Sequence, residues 1–316
     1  MIVNYLSPAP ESEELNRIKF ILIPCGTANA LYSSLFPPNS CEPTDPTYKL
    51  QSLHAYLNTS RIRPISTALN TIHSSAPLSD VLSMVVTSTC MHASILRDSE
   101  KLRSEFPSID RFKIAAQRNS HRWYSGHAKV FPLTGGKPVQ IFEPTVGHFV
   151  DHPKAERENP IVELDGPFVY FLSVVNVDRL EPTYVIAPSV EQTPDPVGSC
   201  KLVVIRPSRD PEFRANDEVG RAAFVAKLWE ILTSPYEKGA HIRLRYAEGG
   251  MVSADGQGPP VIEYLRCGGW EWYPEQTDEY AHFLCSDGAI YQIPRGGRLA
   301  FCMEPARNGI EFAVYA

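Results

Sequence analysis

A chain of 316 residues, 43% hydrophobic and 21% charged, is globular and long enough for one large or two modest domains, and two are expected. A net charge of -6 at pH 7, with no basic arm or Lys/Arg-dense stripe, argues against a general nucleic-acid binder. The longest apolar stretches, 168–177 and 81–86 with its flanks, fall well short of the roughly 18 residues that span a bilayer, so peripheral membrane contact is expected.

The chain opens on 2–6, a short strand or the end of a helix, followed by an acidic loop over 8–16 that carries Glu11, Glu13 and Glu14. This order is not the basic-then-apolar order of a signal peptide. The seven cysteines (25, 41, 90, 200, 267, 285 and 302) show no C-x-x-C pair or zinc spacing. They read as buried thiols in a reducing compartment, and a cytoplasmic location is expected.

Residues 18–23 form an apolar strand, Pro24 to Asn29 a small-residue turn, and 28–36 a helix stopped by Pro37 and Pro38. A strand–turn–helix of this type needs neighbouring parallel strands. The roughly 20 residues before it cannot supply them, so they are expected from elsewhere in the chain, or are missing. After a proline-rich loop comes an amphipathic helix over 48–57, then a change of texture to strands over 65–72 and 81–89 with a turn at 74–77. The domain boundary is placed near residue 62.

Further along, short helices are expected at 98–103 and 108–117, strands at 123–131 and 139–142, a turn at 135–138 and a charged loop over 147–160. The strongest strand is 168–177, followed by 185–188 and 200–206. A helix over 212–233 places Phe224, Leu228 and Ile231 on one face. Strands at 242–246, 261–264, 279–285, 290–293, 299–303 and 311–315 complete the chain. The fold class is α+β: a remnant of an α/β nucleotide-binding domain (1–62), then a larger antiparallel β-sandwich or barrel (63–316).

Gly26, Thr27 and Asn29 combine exposed backbone N–H groups with a hydroxyl at a helix start, a geometry suited to phosphate; the same turn also serves as an ordinary helix cap. Asp287-Gly288 between two strands is first of all a hairpin turn. Trp270, Trp272, Tyr273 and Phe283 read as core residues ahead of a lipid pocket or a membrane-interface patch.

Four ordered stretches resemble the diacylglycerol-kinase-type lipid kinases, most closely the sphingoid-base kinases. They are Pro24-Cys25-Gly26-Thr27-Ala28-Asn29-Ala30, similar to P-x-G-[ST]-x-N-A; the run from Cys90 to Lys101; 168–177 with Ala187-Pro188, 201–206 and Glu237 to His241; and Phe283 to Gly288, similar to a segment ending in D-G-E. The resemblance implies a lipid substrate, a peripheral membrane partner, and ATP with Mg²⁺ in a cleft between two domains. It assigns Gly26, Thr27, Asn29, Lys101, Arg111, Asp287 and Gly288 to the nucleotide, and His92, Ser94 and Asp98 to the lipid. Lys101 and Arg111 read equally as solvated residues of helices, and His92 and Asp98 as hydrogen-bonded structural ones.

Three departures accompany it. The family's G-G-D-G-T-type loop has no counterpart, which implies a start downstream of it, either a truncated gene model or a decayed paralogue. D-G-E reads Asp287-Gly288-Ala289, and Ser94 replaces the acidic residue that would hold a lipid amine. No catalytic residue and no metal ligand is assigned. The two expectations are an ATP-dependent kinase of a sphingoid base or related lipid alcohol, and a lipid-binding or regulatory relic without turnover.

Overall fold

The computed structural model describes residues 17–38, 43–58, 61–75, 79–191, 195–304 and 310–316. The elements expected over 2–6 and 8–16 lie outside them. The chain enters through β1 (Arg17–Phe20), α1 (Ala30–Leu35), α2 (Pro46–Lys49), α3 (Gln51–Leu57) and β2 (Ile62–Ile65). There follow β3 (Thr67–His73), β4 (Ser79–Ser83), β5 (Val86–Thr89), α4 (Cys90–Lys101), α5 (Asp110–Asn119), β6 (Gly126–Phe131), β7 (Gln140–Glu143), β8 (His148–Asp151), β9 (Val162–Asp165), β10 (Tyr170–Val174), β11 (Cys200–Ile205) and α6 (Glu218–Thr233). The last part is all strand and short turns: β12 (Arg245–Tyr246), β13 (Val252–Ser253), β14 (Glu263–Cys267), β15 (Gly269–Pro274), β16 (Phe283–Ser286), β17 (Ala289–Gln292), β18 (Arg298–Glu304) and β19 (Glu311–Tyr315).

Two large antiparallel sheets carry the fold. One runs β17-β16-β5-β10-β11-β14-β7-β8, the other β4-β3-β18-β15-β6-β9, and neither closes into a barrel. The aromatic side chains between them interlock: Phe171 of β10 meets Trp270 and Trp272 of β15 at 5.0 and 5.4 Å between ring centroids. Trp270 stacks on Phe301 of β18, and the Trp272 indole N–H donates to the Ala281 carbonyl at 2.9 Å. The aromatic cluster therefore packs as core, as expected of alternating W-x-W strand residues. Gly126 sits where a Cβ would come within 2.8 Å of the Trp272 ring, so the close approach of β6 to β15 needs glycine there. On its other face the first sheet is covered by α4, which lies against β5, β10 and β16. All five residues of β10 are accordingly buried.

A third, small sheet has the order β1-β19-β2, with β1 parallel to β19, the one parallel pairing among the described residues. The N-terminal strand–turn–helix thus finds one parallel neighbour, β19, far along the chain, and the sheet's third strand, β2, is antiparallel. Buried Ser52 of α3 fastens this region by accepting from the Leu22 amide at 3.0 Å and donating to the Tyr315 carbonyl at 2.7 Å. The observed α+β class, a small mixed sheet followed by a larger antiparallel sandwich, is the one expected.

Several element bounds differ from expectation. The strand at 65–72 is two strands, because the chain leaves the small sheet at Ile65 and enters the sandwich at Thr67; between them the Asn176 side chain accepts from the Ser66 amide and donates to its carbonyl. The helix at 98–103 begins eight residues earlier, directly after β5, with Cys90 in the left-handed region (φ 59°) making the abrupt turn. The charged loop at 147–160 contains β8, paired to β7. The helix at 212–233 starts at Glu218, since the Asp217 side chain caps it by accepting from the Gly220 amide.

Candidate functional site

The turn at 24–29 stands on the small sheet and faces the sandwich. Asn29 adopts φ 53° and folds its amide back onto the turn, accepting from the Gly26 N–H at 2.9 Å and donating to the Gly26 carbonyl at 2.7 Å. The Gly26 amide is therefore satisfied within the turn. The helix that follows has six residues and makes no side-chain cap with Asn29, so its dipole is small.

Opposite the turn lies the hairpin β16–β17. Asp287 and Gly288, with φ of 47° and 88°, form its two-residue turn, a conformation that Asp tolerates and Gly accepts freely. The Asp287 carboxylate reaches across to the chain between β4 and β5. It accepts from the amides of Met84 at 2.7 Å and of Val85 and Val86 at 2.9 Å each. Burial raises its pKa and outweighs the three amides, which lower it. Asp287 thus pins the crossing from one sheet of the sandwich to the other. Asp287→Asn keeps the left-handed turn but sets an NH₂ against backbone donors; we expect a loss of about 1–3 kcal/mol in urea unfolding, and an unchanged midpoint would refute this role.

Between turn and hairpin lies a cleft of about 400 Å³, within the range of small-molecule sites, about 300–1,000 Å³. Leu22, Leu31, Val85, Leu96 and Leu180 supply its apolar walls, and Asn29, His92, Asp287 and Gly288 its polar margin. His92 and Leu96 project together because they are four residues apart on α4. The His92 Nδ1 is 2.6 Å from the Ser88 hydroxyl and the ring stands edge-on to Tyr170. Desolvation pushes its pKa down to about 4, so the imidazole is neutral at pH 7.

Of the ten residues singled out in the sequence, the cleft gathers Asn29, His92, Asp287 and Gly288, with exposed Gly26 and Thr27 on the same turn. The other four sit elsewhere. Ser94 is fully buried, two residues and so about 200° around the helix from His92, beside Tyr124. Asp98 accepts from the Asn119 side chain at 2.9 Å and ties α4 to α5. Lys101 ends α4, five residues or about 7.5 Å of rise beyond Leu96. Arg111 is buried, donating to the carbonyls of Pro107 and Ser108 at 3.0 and 2.8 Å with its guanidinium over Phe112. The cleft residues passed over in the sequence are Leu22, Leu31, Val85, Leu96 and Leu180, together with Ser88 behind His92. Leu96 lies in the run from Cys90 to Lys101, and its four-residue spacing from His92 is the signal that could have placed it in the cleft.

No protein-family model and no curated protein matches the chain. Among solved structures, it is similar to two from Bacillus anthracis str. Sterne that are described as diacylglycerol kinases. The first is 11% identical with a TM-score of 0.42, over 98% of this chain and 72% of that one. The second is 9% identical with a TM-score of 0.35, over 92% of this chain and 64% of that one.

Proposed function

We propose that the chain is a lipid-binding protein of the lipid-kinase type, and that the cleft between the 24–29 turn and the Asp287 hairpin takes the ligand. The observation that carries this reading is the composition of the cleft: aliphatic walls with a neutral imidazole at the margin and a carboxylate already occupied by three amides. A hydrocarbon chain suits the walls, and a hydroxyl, which both donates and accepts, pairs with His92 in either tautomer. An ammonium would find no free carboxylate there, since Ser94 is serine and packs away from the cleft.

The residues present do not fit Mg²⁺-ATP. The carboxylate in the cleft, Asp287, is engaged by three amides, and Arg111 is spent on backbone carbonyls, so neither is free for the metal or the phosphates. The order of the four sequence stretches nonetheless favours a second reading, ATP-dependent phosphorylation of a sphingoid base or related lipid alcohol. Peripheral attachment to a membrane belongs to both readings; no helix among the described residues is long and apolar enough to cross one.

The test is titration of the purified chain with fluorescent ceramide, diacylglycerol and sphingosine, beside an assay with labelled ATP. We expect saturable binding of the two uncharged lipids and at least roughly tenfold weaker binding by Leu96→Asp, which puts a charge into the apolar wall. Equal affinity of wild type and variant would reject the cleft. Labelled lipid product from the wild-type chain would establish the second reading.

A further inference from the structure

Cys200 opens β11 and Cys267 closes β14, and the two stand directly opposite in antiparallel register. Both are free thiols, with their Sγ atoms 3.5 Å apart. Directly opposed residues on antiparallel strands have Cα atoms about 4.5–5.5 Å apart, inside the span of about 4.4–6.8 Å that a disulfide accepts. Among the described residues no other two thiols are in hydrogen-bond contact.

The pair is buried in the sheet, beside a cavity. Cys200 lines a cavity of about 800 Å³ between the small sheet and the sandwich, whose wall also includes Asn176, Asp195 and Lys201. The next pair in the register is Lys201 opposite Arg266, and both ion-pair with Asp195, at 2.9 and 3.2 Å. The residue after Cys267 is Gly268, where the chain crosses to the other sheet. A bond between the two sulfurs would therefore fasten the cavity wall to the joint of the sandwich.

We propose that Cys200 and Cys267 are a reversible redox pair that closes to a disulfide when a small hydroperoxide enters this cavity. With hydrogen peroxide, the Cys200 sulfur attacks one peroxide oxygen, the O–O bond breaks, and a sulfenic acid and one water form. The Cys267 sulfur then displaces the sulfenic hydroxyl as a second water, and the S–S bond forms. Peroxide accepts the two electrons, and both thiol protons end in water. Cys200 acts first because its residue borders the cavity, whereas contact with Cys200 and burial keep the Cys267 thiol protonated. A cellular thiol reverses the reaction.

The test is peptide mapping of the full chain after hydrogen peroxide and alkylation, with and without dithiothreitol. The expected result is a peptide pair joined through residues 200 and 267, lost on reduction and absent from Cys200→Ser. Should that variant not fold, Cys267→Ser serves the same purpose, and the wild-type map stands by itself. Recovery of both residues as alkylated thiols, or as sulfinic acids without a link while Cys25 and Cys302 oxidise, overturns the proposal.

Discussion

Lowering the pH from 7 to 4.5 is expected to remove about 5 kcal/mol of folding stability through His152 and His241, with a further loss in the same direction from His92. His152 and His241 are 5% and 1% exposed, and burial pushes the pKa of each down to about 4. Their unfolded value is near 6.5, so the unfolded chain binds the proton first as the pH falls. The stabilisation is therefore fully present above about pH 6.5 and is lost progressively toward pH 4, at about 2.5 kcal/mol for each group by pH 4.5. Burial is the main reason that both rings resist the second proton. The His152 Nδ1 accepts from the Lys154 amide at 3.1 Å, and a proton there breaks that bond. His241 pairs its Nε2 with the Ile186 carbonyl, which favours the charged ring, and burial outweighs it. Urea unfolding at the two pH values measures the difference; a free energy that is the same at both would dismiss the assignment.

Glu263→Gln is expected to cost about 3–5 kcal/mol. Glu263 is 1% exposed in β14, and its carboxylate meets Arg206 through two bonds of 2.7 Å, with Arg209 at 3.3 Å. Burial alone would raise its pKa, but the hydrogen bonds and charge of Arg206, together with Arg209 and His152, hold it below the usual carboxylate range. Glutamine keeps the shape and leaves two guanidinium groups without their counter-charge. The double replacement Glu263→Leu with Arg206→Leu should recover much of the loss, because the cost lies in the stranded charge. A single variant within 1 kcal/mol of wild type in denaturant titration would count against this account.

Much of this architecture was legible because burial writes a period into the chain. Strand β10 and the buried face of α6, with Phe224, Leu228 and Ile231, follow from apolar runs and spacing. What stayed hidden depends on single side chains acting at a distance. Asn176 holds the sheet change at Ser66, and Cys90 turns strand into helix with no capping residue to announce it. In the cleft, the Asp-Gly hairpin was readable, but nothing near residue 287 in the sequence says that its carboxylate engages amides some 200 residues earlier. Arg111 and Asp98 have the right chemistry for phosphate or head group, and their partners alone show that both are spent on the protein itself.

The parallel pairing of β1 with β19 has a consequence in time. Arg17 and Glu311, which face each other in that ladder and share a hydrogen bond, are 294 residues apart in the chain. At about 5–20 residues per second, a ribosome needs roughly 15–60 s to make the second after the first. Through that interval the 24–29 turn has been synthesised but has no completed sheet beneath it, and one wall of the cleft is unformed. The proposed ligand site is thereby assembled only once β19 has been made, and a nascent chain that stops short of it has no complete cleft.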